Sequence, residues 1–267
     1  MAQGKSSKKI TQVEGGESSA TTTEKKTFVA SDESKVKARN FRIIAIVAWI
    51  IAIAFEIWAI LVLRKPPVNM TLLIVLIVAD LIFVITGSLL WKKSNRLDPA
   101  SKKDKIKFFI QNQLGLIIAI IAFLPIVILI FTDKNLSGKQ KGLVGAIAVV
   151  ALVIAGLTGI DFNPPSVEQY TEETEQVESL MDGVNLVNWT KSGKSYHLFQ
   201  DCSYINTDRT DEIFEGTVAQ ARELKNITDL CDRCERRAQK EKDIREALSE
   251  PVESIQEEEV IEPDPEM

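Results

Sequence analysis

Histidine occurs once in this 267-residue sequence and cysteine three times, and both scarcities restrict its chemistry. A single imidazole, His197, cannot build a His-rich catalytic metal centre, and if a metal takes it, none is left for a nucleophile–histidine pair. Three cysteines cannot pair completely, so a disulfide framework fits poorly. Phosphate-binding loops are missing too: Gly138, Lys139 and Gly142 lack the Walker spacing, and there is no GxGxxG run. With no catalytic constellation in view, the sequence favours a non-enzymatic role.

Basic residues stop at Arg245, while Glu250, Glu253, Glu257, Glu258, Glu259, Glu262, Asp264 and Glu266 follow. Such a tail repels nucleic acid, and Pro251, Pro263 and Pro265 oppose helix, so residues 249–267 are expected to be a disordered acidic tail. Residues 1–41 are rich in Ser, Thr, Lys and Glu, with scattered apolar residues such as Ile10, Val13, Phe28 and Val29. They carry too little apolar surface to offset the entropy of ordering and are expected to be a disordered cytoplasmic tail.

The apolar residues are concentrated in four blocks, so the near-zero mean hydropathy averages two opposite populations. The blocks, 43–63, 71–91, 108–131 and 142–160, each reach about the twenty helical residues that cross a hydrocarbon core of roughly 30 Å. The first begins only at Ile43, which reads as a retained helix rather than a cleaved leader. Pro125 is expected to kink the third. Together, residues 42–162 predict an all-α membrane bundle of four transmembrane helices surrounded by lipid.

Lys35, Lys37, Arg39 and Arg42 precede the first block, and Lys92, Lys93, Arg96, Lys102, Lys103, Lys105 and Lys107 lie between the second and third. The opposite loops carry fewer: Arg64 and Lys65, and Lys134, Lys139 and Lys141. Positive residues are retained on the cytoplasmic side, so both termini are expected there, in a multi-pass protein of the cell membrane.

Three features within the spans suggest roles. Glu56 and Asp80 lie at similar depth on antiparallel helices, where carboxyls serve either as neutral interhelical contacts or as part of an ion or proton pathway. Ala151, Ala155 and Gly159 recur every four residues and offer a close-packing face, either for a homo-oligomer or within the bundle itself. Gln111, Asn112 and Gln113 suit the membrane interface.

Asn163, Pro164 and Pro165 end the fourth helix, and an acidic linker is expected over 163–183. Residues 184–190 alternate, Lys191 to Lys194 suit a turn, and 195–199 suit a return strand, so a short hairpin is expected. Thr217 with Gln220 forms a capping-box pattern for a helix ending near Asn226, and another helix begins near Arg233. The lone histidine and all three cysteines fall between positions 197 and 234, which random scatter would do roughly one time in a hundred or less. His197, Cys202, Cys231 and Cys234 can make one tetrahedral site, the geometry Zn²⁺ favours, and four protein ligands leave no place for a catalytic water. A structural metal also supplies the cross-linking that a module of this size, 184–248, needs. The whole is expected to be a four-helix membrane bundle carrying a small α+β zinc-stabilised module.

The runs WTKSGKSYHLFQDC (Trp189 to Cys202), TVAQA (Thr217 to Ala221) and LCDRC (Leu230 to Cys234) resemble the small His/Cys modules at the C-termini of many bacterial, especially clostridial, proteins. The resemblance covers about a fifth of the chain. It implies a bacterial origin and a compact zinc-binding unit of hairpin and helix, often joined to membrane segments. Three functions are consistent with these features: a membrane-anchored module for a protein partner, a small-ion or proton transporter using Glu56 and Asp80, and a metal or redox sensor.

Overall fold

The computed structural model describes residues 8–13 and 27–249. Four helices, α1 (Asp32–Leu63), α2 (Met70–Leu97), α3 (Lys105–Thr132) and α4 (Gly138–Gly159), are long and apolar enough to cross a membrane. They cover the expected apolar blocks to within one residue. Their starts are fixed by side-chain caps that satisfy otherwise orphaned N–H groups. Ser31 Oγ accepts from the Ser34 N–H at 3.1 Å, Asn69 Oδ1 from Leu72 at 3.0 Å, and Asp104 Oδ1 from Lys107 at 3.0 Å. Ser137 and Gln140 cap α4 reciprocally. Pro125 sits inside α3, which is helical on both sides of it.

The bundle buries small residues beside Leu73, Ile77, Phe123 and Ile126 and displays further large apolar ones outward. Small residues such as Ala45, Ala52, Ala59, Ala119, Ala122 and Ala148 are buried, while Ile50, Leu61, Ile82, Phe109 and Leu157 expose 57–61% of their surfaces. Large aliphatic side chains displayed outward in such numbers are uncommon on a water-exposed surface, and small ones inside let backbones approach. Two contacts define the fit. A Cβ on Gly87 of α2 would lie 2.4 Å from Trp49 Nε1 of α1, and one on Gly159 of α4 would lie 2.6 Å from the backbone of Gly115 and Leu116 of α3.

The chain after α4 departs from the expected linker. Residues Val167–Leu180 form a helix, α5, capped by Ser166, with Tyr170, Val177 and Leu180 buried along it. Four apolar residues in fourteen, Val167, Tyr170, Val177 and Leu180, are enough to seat the helix despite its acids, so composition alone is a poor guide. The α5 helix ties the rest of the chain to one end of the bundle. Tyr170 donates its hydroxyl proton to the Arg96 carbonyl at 2.7 Å, Phe28 packs on the Tyr170 ring at 4.7 Å, and the Lys102 N–H reaches Glu168 at 2.8 Å.

Two small sheets complete the module. One has the order β1-β4-β2, from β1 (Lys9–Gln12), β2 (Val187–Thr190) and β4 (Glu212–Gly216). The other pairs β3 (Ser195–Tyr196) with β5 (Asp229–Leu230) in parallel. The expected hairpin is thus reduced to one bridge: Asn188 and His197 exchange N–H···O bonds of 2.7 Å, after which β3 turns to β5. The helices α6 (Val218–Lys225), with the expected Thr217–Gln220 capping box, and α7 (Asp232–Ser249) follow.

The disorder expected over 1–41 is corrected for residues 8–13 and 27–41, the rest of that segment lying outside the described residues. Residues 9–12 are a strand and α1 begins at Asp32. The strand is held not by apolar burial but by backbone pairing to β4 and polar cross-strand contacts, Thr11 to Glu212 at 2.6 Å and Gln12 to Glu215 at 3.0 Å. The acidic tail from residue 250 onward lies outside the described residues.

Candidate metal centre

Each of the four rare residues is delivered by a different piece of the module. His197 follows β3 directly, and its backbone is locked to Asn188 on both sides of the peptide unit. Cys202 lies in the turn after it, where its carbonyl accepts from the Ile205 and Asn206 N–H groups at 3.0 and 2.8 Å. Cys231 follows β5 directly, its N–H bonded to the Tyr196 carbonyl at 3.0 Å, and its own carbonyl accepts from Glu235 at 2.9 Å as α7 begins. Cys234 is in the first turn of α7. The CxxC spacing therefore straddles a helix start.

All four side chains are buried, with exposures of 5, 6, 6 and 1%, and their ligand atoms lie within 4.8 Å of one another. Cys234 Sγ and His197 Nδ1 are 3.7 Å apart. Tetrahedral bonds of about 2.3 Å to sulfur place neighbouring ligand atoms about 3.8 Å apart, so a small contraction closes the cluster on one ion. No disulfide links the thiols. The arrangement is compatible with a metal site. Burial favours the neutral forms of two of the four groups: it holds the His197 imidazole below the ordinary histidine range and pushes the Cys234 thiol up to about 12. A bound cation would have to displace the Cys234 proton, which a strong Lewis acid does.

Features that the sequence did not single out support the cluster. Asp201, beside Cys202, meets Arg237, one turn beyond Cys234, at 2.8 Å, and the guanidinium lies 4.0 Å from the Phe199 ring centroid. Val187, Trp189, Ile205, Ile213 and Val218 form the apolar core around it. On one side opens a cleft of about 560 Å³, bordered by His197, Cys231, Lys194, Arg233 and Arg236 as well as Asp229 and Asp232. Opposite charges scattered over a long segment gave no local signal for it.

Glu56 and Asp80 are far from this cluster, buried in the helix bundle at 5 and 1% exposure. Ala151 and Ala155 belong to the bundle core, and Gly159 lies against α3, so the small-residue face of α4 is turned inward. At the module end, Gln111 accepts through its carbonyl from Trp91 Nε1 and Asn95 Nδ2, both at 2.7 Å, and Gln113 donates to the Asp161 carbonyl at 3.2 Å.

No protein-family model, curated protein or solved structure matches this chain.

Proposed function

We propose that this chain is an integral protein of a bacterial plasma membrane, with both termini in the cytoplasm, that holds one structural Zn²⁺ in its C-terminal module and presents that module to a protein partner. The observation that carries the reading is the buried set of one imidazole and three thiols with ligand atoms within 4.8 Å. That donor set suits Zn²⁺ among the common ions, and four protein ligands fill a tetrahedral shell, which favours a structural role over a catalytic one.

Membrane insertion draws support from the four apolar helices with large aliphatic residues outward and small ones inward. Orientation draws on charge: the module is packed against the bundle end whose loop carries Lys92 to Lys107, the more basic flank. Zn²⁺ in this position would fix the Cys202 turn to the start of α7. The adjoining cleft, with Lys194, Arg233 and Arg236 at its border, then offers a rigid surface to an acidic segment of a partner.

The reading is tested with the full-length protein in native membranes, crosslinked through a photoreactive group at Tyr204, which borders the cleft. A discrete adduct that is lost in Cys231→Ser, with membrane insertion retained, is expected. An adduct of equal yield in both proteins would overturn the role of the metal in presentation.

A further inference from the structure

The helix bundle contains two carboxyl groups for which the module has no use. Trp49 on α1 faces Gly87 on α2. The two helices run antiparallel, and seven residues is close to two turns, so a step of seven toward the far end leads on the same faces to Glu56 and Asp80. The pair is thus level, about 10 Å beyond the Trp49 contact. Asp80 is 1% exposed and both its carboxyl oxygens lack a hydrogen-bond partner; Glu56 is 5% exposed, its carboxyl is met by the Ile126 backbone of α3, and its Oε1 lacks a partner. Neither carboxyl is therefore satisfied by the other. Two bare anions in an apolar interior are too costly to persist, and a neutral Asp80 kept for structure would be hydrogen-bonded to a helix it faces, as Glu56 is to α3.

The polar groups along the bundle axis are distributed unevenly. Between the pair and the module end, Trp49 Nε1, Ser88 Oγ, Asn95 Oδ1 and Gln113 Oε1 are buried without partners. Asp80, Ser88 and Asn95 follow one another at eight and seven residues along one face of α2. Buried atoms of this kind are those that ordered water satisfies. Toward the far end the described interior beside the pair is closed by Leu73, Leu76, Ile77, Ile126 and Ile130, all buried and apolar.

We propose that Glu56 and Asp80 form an exchangeable site for one small monovalent cation, a proton or an alkali-metal ion, reached through the bundle from the module end. The cation neutralises one carboxylate and bridges the unpartnered oxygens of both side chains. Ser88, Asn95 and Gln113 line its route, and the apolar layer beyond Asp80 stops it. The site does not depend on the zinc reading.

Infrared spectroscopy of the full-length protein in nanodiscs tests this directly. In choline buffer, the wild type should show a protonated-carboxyl C=O band that titrates with pH, shifts on perfusion with D₂O, and disappears in the Glu56→Gln, Asp80→Asn double variant. Loss of the band on adding Na⁺ or K⁺ at fixed pH identifies the metal ion as occupant; persistence identifies the proton. Ser88→Ala should slow the deuterium shift, and an unchanged rate would contradict the proposed route. A band that neither titrates nor exchanges, or one unchanged in the double variant, would overturn the site. Chelation of zinc should leave the band as it is, so failure of either reading is separable from failure of the other.

Discussion

Asp201 Oδ1 and Arg237 Nη1 lie 2.8 Å apart, one beside Cys202 and the other a turn beyond Cys234. The pair spans the same gap that the four ligand side chains span, yet both partners are largely exposed, 65 and 46%. Exposed ion pairs contribute at most about 1 kcal/mol, so this contact cannot by itself hold the Cys202 turn to α7. Arg237→Ala should therefore lower stability by no more than about 1–1.5 kcal/mol, including the lost packing on Phe199, and leave metal content unchanged. Parallel denaturant titrations and elemental analysis check this; loss of metal in Arg237→Ala would give the ion pair a role it is not assigned here.

The docking of the module on the bundle should depend on pH through Glu223. Its carboxylate on α6 accepts from Ser34 Oγ at the start of α1 at 3.2 Å, with Lys37 and Glu33 of α1 nearby, and burial pushes its carboxyl up to about 7 from an ordinary 4.5. The folded state therefore holds the proton more tightly than the unfolded state. Stability is greatest below about 4.5, falls as pH rises toward 7, and levels off beyond. Melting temperatures of the wild type and Glu223→Gln across that window measure the effect as their difference, which should grow with pH. A difference that stays flat would contradict the burial of this carboxyl.

Much of the bundle was legible because each span is a local property: twenty apolar residues in a row declare themselves wherever they fold. The metal cluster was legible for another reason, since the lone histidine and all cysteines share one short region. Long-range pairing left no such mark. The strand Lys9–Gln12 is polar and pairs with Glu212–Gly216 some 203 residues away, and the strand at Glu212 is itself too short for its alternation to stand out. The α5 helix was hidden by its acids, although Ser166 at its cap and the spacing of Tyr170, Val177 and Leu180 carry the signal.

The close approach of α3 and α4 makes Gly159 a sensitive position. A methyl group there would lie 2.6 Å from the α3 backbone, which cannot yield as a flexible side chain would, whereas one at Gly142 meets nothing within 4 Å. Gly159→Ala should destabilise the protein by about 1–3 kcal/mol, and Gly142→Ala should be neutral or stabilising by up to about 1 kcal/mol. Thermal unfolding in detergent, read beside size-exclusion chromatography, separates this from a self-association role. Dissociation of an oligomer without loss of stability in Gly159→Ala would assign the face to a second copy.

Orientation is tested by cysteines placed at exposed positions on the two ends. In intact cells an impermeant maleimide should label Asn135→Cys, in the far loop, and spare Ser179→Cys, near the module, with the wild type reporting the background of the three buried thiols. The reverse pattern would put the module outside the cytoplasm and remove the reducing environment that keeps its thiols free.

Zinc content tests the central claim most directly. The purified full-length protein should contain one Zn²⁺ per chain, Cys202→Ser should lose it, and Ser203→Ala should retain it, because a serine hydroxyl is no comparable ligand. Hydrogen exchange of residues 184–240 should rise sharply on chelation while the four long helices stay protected, since the metal would tie His197 and Cys202 to Cys231 and Cys234 across a small apolar core. A protein without stoichiometric zinc, or a module equally protected with and without chelator, would contradict the account.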